Sequence, residues 1–265
     1  MTRILVFISV VVLTGNALLA QEPIIPIVQG NYLVGGTQGG KWLKPARVPL
    51  GASPKFRSVR NDTDDTTILT GQTDEKWDAC NENRIVRFRS RDDEDDDQLP
   101  GLFIGERAGW NLIPRRPTSL DTGDAAITDA VTTFLRSKGI TRSPTKIKEA
   151  ISVDLDGDGT AEMIITGHYY RRWDEFELSA GDYSFALLRV GSGPSARNIL
   201  LDGQFFDQRI DADYAEHSIV AVADLNGDGR MEIAIRSTHS ESDRQMLFEF
   251  QKDKAVMIFD ESCGG

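Results

Sequence analysis

The sequence predicts a mainly β protein with one helix. Short runs in which apolar and polar residues alternate recur along most of the chain, and such runs are typical of half-buried strands. Only residues 122–138 space their apolar side chains at helical intervals. After residue 145 a strand–loop–strand pattern occurs twice. This pattern favours propeller-blade-like repeats, arranged either as an incomplete propeller or as a β-sandwich.

The first 20 residues have the pattern of a secretory signal peptide. Arg3 precedes an apolar run at residues 4–13, and the small residue Ala20 precedes Gln21. The run is too short to span a bilayer. We expect cleavage near Gln21, with a cut after Ala17 or an uncleaved anchor as the alternatives. The mature protein is then secreted or periplasmic and has no membrane span.

The composition is that of an ordinary globular protein with an excess of acid. The chain has 265 residues, of which 40% are hydrophobic and 27% are charged, and its net charge is −11. An acidic chain repels nucleic acid and anionic membranes, so we expect neither as a partner. The two cysteines, Cys80 and Cys263, could pair in an exported protein or could be unrelated thiols.

Residues 21–117 are predicted to form an N-terminal β region. An acidic run at residues 92–97 cannot pack in a core and lacks the glycines of a tight ligand loop. We interpret it as a solvated loop rather than as a cation site. The predicted strands are residues 32–34 and 41–43, which flank a glycine-rich turn as a hairpin would, and residues 84–91, 102–104 and 110–113.

Residues 118–144 are predicted to contain the helix and a connector. We expect the helix over residues 122–138, with Asp121 or Thr122 as its cap and Gly139 at its end. Its apolar side chains form one stripe, which should pack on a sheet. The stripe consists of Ile127, Val131, Phe134 and Leu135.

Residues 145–265 contain two similar units. In each unit an alternating run ends at an aspartate, an acidic loop follows, and three more strand-like runs come after the loop. The two aspartates, Asp154 and Asp224, are 70 residues apart. Two units cannot close a propeller, so the N-terminal strands must complete the sheet or form a sandwich beside it. The runs are residues 147–153, 163–167, 183–190 and 198–206 in the first unit, and 218–223, 233–236, 246–251 and 255–259 in the second.

Each unit carries a nine-residue loop whose composition suits calcium. Oxygen-bearing side chains occupy positions one, three, five and nine, and the residue at position seven can add a backbone carbonyl. Calcium takes six to eight oxygen ligands, whereas magnesium requires a smaller octahedral site. Glycines at positions four and six let the backbone turn sharply. The predicted ligands are Asp154, Asp156, Asp158, Thr160 and Glu162 in the first loop, and Asp224, Asn226, Asp228, Arg230 and Glu232 in the second.

The strand–loop–strand arrangement resembles the FG-GAP and VCBS repeat family over residues 147–260. The helical calcium hand differs, because it ends on a glutamate at position twelve and is flanked by helices. The resemblance implies two calcium ions, one in each loop, between strands of propeller blades. A pair of metal-free turns is the alternative, although crowded acids repel one another and give a free turn no advantage.

The sequence contains no recognisable motif for a catalytic or cofactor-binding site. His168, His217 and His239 lack the further ligands of a zinc site, so we expect structural or surface roles for them. The aromatic and basic stretch at residues 169–176 is predicted to be a strand end with a surface loop, or else a contact patch.

These observations predict an exported, non-enzymatic calcium-binding β module. We expect it to bind an unidentified protein or glycan, or to structure the cell envelope. The alternative is an exported hydrolase in which the calcium loops are structural. Its catalytic acids would then come together only in the folded chain, from residues such as Asp174, Glu175 or Asp207.

Overall fold

The computed structural model describes residues 22–61, 68–74, 84–88, 101–172 and 177–264. This part of the chain is mainly β with one α-helix, as predicted. No helix in this part of the chain is long and apolar enough to cross a membrane. The elements are β1 (Ile25–Gln29), β2 (Tyr32–Gln38), β3 (Lys41–Leu43), β4 (Lys55–Val59), β5 (Ile68–Asp74), β6 (Ile85–Phe88), β7 (Leu102–Gly105), β8 (Thr118–Ser119), α1 (Ala125–Ser137), β9 (Glu149–Val153), β10 (Glu162–Tyr169), β11 (Glu177–Leu178), β12 (Tyr183–Val190), β13 (Arg197–Phe205), β14 (Ile210–Asp211), β15 (Glu216–Ala223), β16 (Glu232–Thr238), β17 (Ser242–Gln251) and β18 (Lys254–Gly264), with short 3-10 helices at Pro45–Arg47 and Gly193–Ser195.

Strands β1 to β7 form one antiparallel sheet that closes on itself. The order is β1-β7-β4-β5-β6-β2, β2 pairs again with β1, and β3 extends the sheet from β2. The junction of β2 and β6 is short: Tyr32 lies opposite Ile85, and the Leu33 N–H donates to the carbonyl of Arg84 over 2.9 Å. Closure leaves few free edges. Buried apolar side chains fill a cluster in this sheet: Val28, Leu33, Val48, Phe56, Val86, Phe88 and Phe103.

The two units after residue 145 form two four-stranded antiparallel sheets. In the second sheet the order is β13-β12-β10-β9, and β8 adds to β9. The third sheet has the order β15-β16-β17-β18. Each sheet is thus a meander with its acidic loop between the first two strands, as the repeat predicts. Outside these two sheets, β11 and β14 pair in a two-stranded ribbon.

The sheets and the helix are stacked in layers because successive strand residues face opposite sides. On β10, Ile165 belongs to the core under α1, whereas Ile164 belongs to the core between the second and third sheets. On β16, Ile233 faces the second sheet, and Ala234 shares a core with the closed sheet. The third sheet is therefore covered on both faces, by the second sheet on one side and by the closed sheet on the other.

The helix packs through the predicted stripe, but its cap differs from the prediction. Ile127, Val131, Phe134 and Leu135 are buried, and α1 begins at Ala125. The cap is Asp124, whose Oδ1 accepts from the N–H groups of Ala126 at 2.8 Å and Ile127 at 3.1 Å. The prediction of Asp121 or Thr122 was wrong, because Asp121 instead accepts the N–H of Gly123 in the preceding turn.

The predicted strand at residues 110–113 is also wrong. This segment joins no sheet, because its polar groups bond to the second acidic loop. The Asp224 N–H donates to the carbonyl of Leu112, and the Trp110 indole donates to the carbonyl of Asp224, both over 2.8 Å. The predicted hairpin is present, although β2 continues through the glycines to Gln38. The acidic run at residues 92–97 and Cys80 lie outside the described residues.

Candidate metal centre

The two loops share one hydrogen-bonded frame. Asp154 Oδ1 accepts the N–H of Gly157 at 2.7 Å, and Asp154 Oδ2 accepts the N–H of Gly159 at 3.0 Å. In both loops the side chain at position three accepts from position five, and the side chain at position five accepts from position seven. The first aspartate of the second loop makes the equivalent bonds, from Asp224 to Gly227 and Gly229, at 2.7 and 2.9 Å.

The closing glutamates fasten each loop to the start of its own turn. Glu162 Oε2 accepts the Leu155 N–H at 3.0 Å, and Glu232 Oε2 accepts the Leu225 N–H at 2.7 Å. Both leucines have 0% exposure and lie in apolar clusters, so they anchor the loops in the core. The glutamate at position nine is therefore held in place by this hydrogen bond, although it belongs to the strand that follows the loop.

The first loop gathers three carboxylates near the surface. Oxygens of Asp154, Asp156 and Asp158 all lie within 4.8 Å of one another. Glu162 is buried beneath them at 3% exposure, and burial, followed by the charges of Asp156 and Asp158, raises its pKa against the effect of its backbone hydrogen bonds. Thr160 is exposed at the far end of the loop, where its backbone N–H donates to Asp158.

The second loop is more deeply buried. Asp224, Asn226 and Glu232 are 3%, 4% and 0% exposed. One oxygen, Glu232 Oε1, is buried and has no hydrogen-bond partner among the described residues. Burial, followed by the charges of Asp228 and other nearby carboxylates, raises the pKa of Glu232 to about 9 against the effect of the Leu225 hydrogen bond. Arg230, like its counterpart in the first loop, is exposed.

Arg115, a residue that the sequence prediction missed, links the two loops. The Arg115 guanidinium donates through Nε to the carbonyl of Asp154 at 2.5 Å, and through Nη2 to the carbonyls of Leu155 at 3.0 Å and Gly229 at 2.8 Å. Its Nε lies 4.0 Å from Asp154 Oδ1. The Met231 N–H donates to the Leu155 carbonyl at 2.8 Å, so a backbone bond runs parallel to the guanidinium bridge.

A fourth carboxylate beside the second loop was also missed. Register places Glu249 of β17 opposite Glu232, one step beyond the pair formed by Ile233 and Phe248. Glu249 is 6% exposed and accepts the indole N–H of Trp42 at 3.2 Å. The sequence did hold a sign of it, because a charged residue interrupts the apolar run at residues 246–250, at a position whose alternate neighbour in that run is buried.

His217 and His239 have polar partners, and none of the three histidines belongs to a cluster of metal ligands among the described residues. Ser184 Oγ lies 2.6 Å from His217 Nδ1, and His217 Nε2 lies 2.8 Å from Asp202 Oδ2. This is the order of a Ser–His–Asp relay, but Ser184 has 0% exposure, so no substrate can reach its hydroxyl. His168 stacks on Tyr170 with ring centroids 5.9 Å apart.

The relay instead joins the second and third sheets. Arg244 of β17 donates to Asp202 Oδ1 at 3.1 Å, so two bases share one carboxylate of β13. Burial on its own raises the pKa of Asp202, but the hydrogen bond and charge of His217, together with the charge of Arg244, lower it overall. Of the acids named for a hydrolase, Asp207 is exposed, and Asp174 and Glu175 lie outside the described residues.

Comparison of the chain with protein-family models, curated proteins and solved structures finds no match. The functional interpretation therefore depends on the geometry of the loops themselves.

Proposed function

We propose that the protein is an exported, non-enzymatic β module that binds two calcium ions, one in each acidic loop. The observation that carries this proposal is Glu232, a carboxylate with 0% exposure and one oxygen without a partner. An ionised carboxylate out of water is costly unless a donor or a cation compensates it. The carboxylates whose charges act on it, Asp228 and Asp224, offer further oxygens and so favour a cation.

Calcium suits these loops better than magnesium. Each loop supplies four side chains with oxygen atoms, and the carbonyl at position seven can add one more. That set approaches the six to eight ligands that calcium takes at flexible geometry, whereas magnesium requires a strict octahedron and retains its water. The resemblance to FG-GAP and VCBS loops points the same way. Both ions would lie where the second and third sheets meet, so their role is to hold the sheets together.

The module's role in the exported protein is to bind a protein or glycan, or to structure the envelope. The alternative of a hydrolase gains no support from the Ser184 relay, because its hydroxyl is enclosed. A rigid, ion-fastened scaffold with its ligand on exposed loops is a common arrangement, since scaffolds hold binding loops in place.

The proposal is tested by calorimetry and thermal unfolding of the mature chain in chelator, calcium or magnesium. Extracellular calcium modules bind with dissociation constants of about 0.1–1 mM. At a hundredfold excess one ion stabilises the native state by about 2.7 kcal/mol, which raises the melting temperature by roughly 5–10 °C per site in a chain of this size. Magnesium should produce a smaller shift.

Single substitutions show which loop binds calcium. Asp154→Ala and Asp224→Ala should each remove one site, and Asp207→Asn, which deletes an exposed acid outside the loops, should leave both. No calcium heat at millimolar concentration, together with a melting curve that chelator does not change, would remove the metal from the proposal.

A further inference from the structure

We infer that the two sites are unequal: the second loop binds calcium tightly and fills first, and Arg115 holds the affinity of the first loop down. This inference rests on the proposed function and adds the order and the control of binding. Three observations carry it: the burial of the second loop, the extra carboxylate of Glu249, and a guanidinium that lies beside an acid of only the first loop.

Burial makes the second loop bind a cation more strongly than the first. Its ligands at positions one and three are 3% and 4% exposed, whereas the Asp154 side chain of the first loop is 20% exposed. The glutamates at position nine are buried in both loops. Coulomb interactions strengthen as the effective dielectric falls, so each carboxylate of the second loop gains more from a cation. Without one, the unpartnered oxygen of Glu232 stays uncompensated.

Glu249 restores the charge that Asn226 lacks. Around the second loop the carboxylates of Asp224, Asp228, Glu232 and Glu249 equal in number the four of the first loop. The matching position of the second sheet, opposite Glu162, is occupied by Val190, one step beyond the pair of Met163 with Arg189. The first loop therefore has no counterpart of Glu249, and all its charge lies in the loop itself.

Arg115 affects the first loop in the opposite direction. Its guanidinium lies 4.0 Å from Asp154 Oδ1, and its Nη1 is 3.2 Å from where a Cβ on Gly157 would be. The positive charge offsets part of the acid cluster before any ion arrives, and it repels an ion that does arrive. On the second loop Arg115 contacts only the carbonyl of Gly229, at the exposed end.

A matched pair of variants separates the sites. Asp158 and Asp228 both occupy position five, are exposed, and accept the N–H two residues on, a bond that an asparagine oxygen also accepts. Asp158→Asn should leave only the second site and Asp228→Asn only the first. By calorimetry with calcium, we expect the Asp158→Asn chain to bind roughly tenfold or more tightly than the Asp228→Asn chain.

Arg115 is then changed in the Asp228→Asn chain. Arg115→Gln removes the charge and should raise the remaining affinity roughly three- to tenfold, whereas Arg115→Lys keeps the charge and should not raise it. If both changes lower the affinity equally, Arg115 is only a brace and the inference fails. It also fails if the first loop binds as tightly as the second. Failure of the proposed function is distinct, because the unmodified chain would then bind no calcium at all.

The order of filling can also be measured without altering a ligand. An indole carbon of Trp110 lies 3.0 Å from the position of a Cβ on Gly227, so this tryptophan can sensitise terbium bound in the second loop. Trp42 donates to Glu249 beside the same loop, so it can sensitise the ion as well. Emission should rise with the first equivalent of terbium, and changing both Trp110 and Trp42 to phenylalanine should abolish that rise. Emission that rises only with the second equivalent, or that survives the double change, would overturn the inference.

Discussion

Replacing Gly227 by alanine should cost more stability than the same change at Gly229. Both glycines belong to the second loop and have positive φ, +80° and +85°, so alanine is strained at both. The strain of a left-handed residue with a Cβ is about 1–2 kcal/mol. The two sites differ in their surroundings, because a Cβ at Gly229 meets nothing within 4 Å, whereas at Gly227 it meets the Trp110 ring at 3.0 Å.

The contact with the ring sets the expected difference. A separation of 3.0 Å forces the indole to move, and the Trp110 N–H is also bonded to the Asp224 carbonyl at 2.8 Å. Overpacking of this kind typically costs about 1–3 kcal/mol. Gly229→Ala should therefore lower the free energy of unfolding by about 1–2 kcal/mol, and Gly227→Ala by about 2–5 kcal/mol.

The assay is guanidinium unfolding in chelator, followed by circular dichroism so that the signal does not depend on the tryptophan. A double-mutant cycle with Trp110→Ala isolates the contact, and most of the extra cost of Gly227→Ala should disappear in that background. Equal losses of stability for the two alanine variants, or an extra cost that survives removal of the indole, would refute the explanation by steric contact.

Three further predictions concern other parts of the molecule. Asp202 has a lowered pKa in the folded state, so the stability that its carboxylate adds is present at neutral pH and is lost as the pH falls through the folded pKa. In urea titrations, Asp202→Asn should lower the free energy of unfolding by about 1–3 kcal/mol at pH 7 and by progressively less below about pH 4. Its partly exposed neighbour across Arg244, Asp260, serves as the control, and Asp260→Asn should cost less than about 1 kcal/mol. Asp124→Ala should cost about 1 kcal/mol as a lost helix cap, more than Asp121→Ala, and equal effects would contradict the cap assignment. Edman sequencing of exported protein should begin near Gln21, and a sequence that begins at Met1 would contradict cleavage.

Elements with local periodicity were predictable from the sequence. The four strands of each repeat and the buried stripe of α1 depend on alternation or helical spacing, and the structure places both as expected. The glycine positions of the loops likewise follow from short-range chemistry. In each case neighbours in the sequence determine the structure.

Elements decided by distant partners were not predictable. Residues 110–113 read as a strand, yet Trp110 and Leu112 bond to Asp224, more than 100 residues later. In the sequence, Arg115 is one of two adjacent arginines, which is typical of an exposed surface. Only the folded structure shows its hydrogen bonds to Asp154 and Gly229. Glu249 joins the second loop only through the register of β16 and β17. No spacing rule connects such residues, because the fold alone brings them together.

The cover of the closed sheet has a consequence for the synthesis of the chain. Its outer face is sealed by the last strands: Phe259 lies over Gly35, so close that a Cβ there would be 2.2 Å from the ring. Gln29 donates to the carbonyl of Ile235, 206 residues further along the chain. At about 5–20 residues per second, the first strands wait roughly 10–40 s on the ribosome for these partners. The chain is therefore unable to complete its core before these last strands are made, and the outer face of the closed sheet stays uncovered during that time.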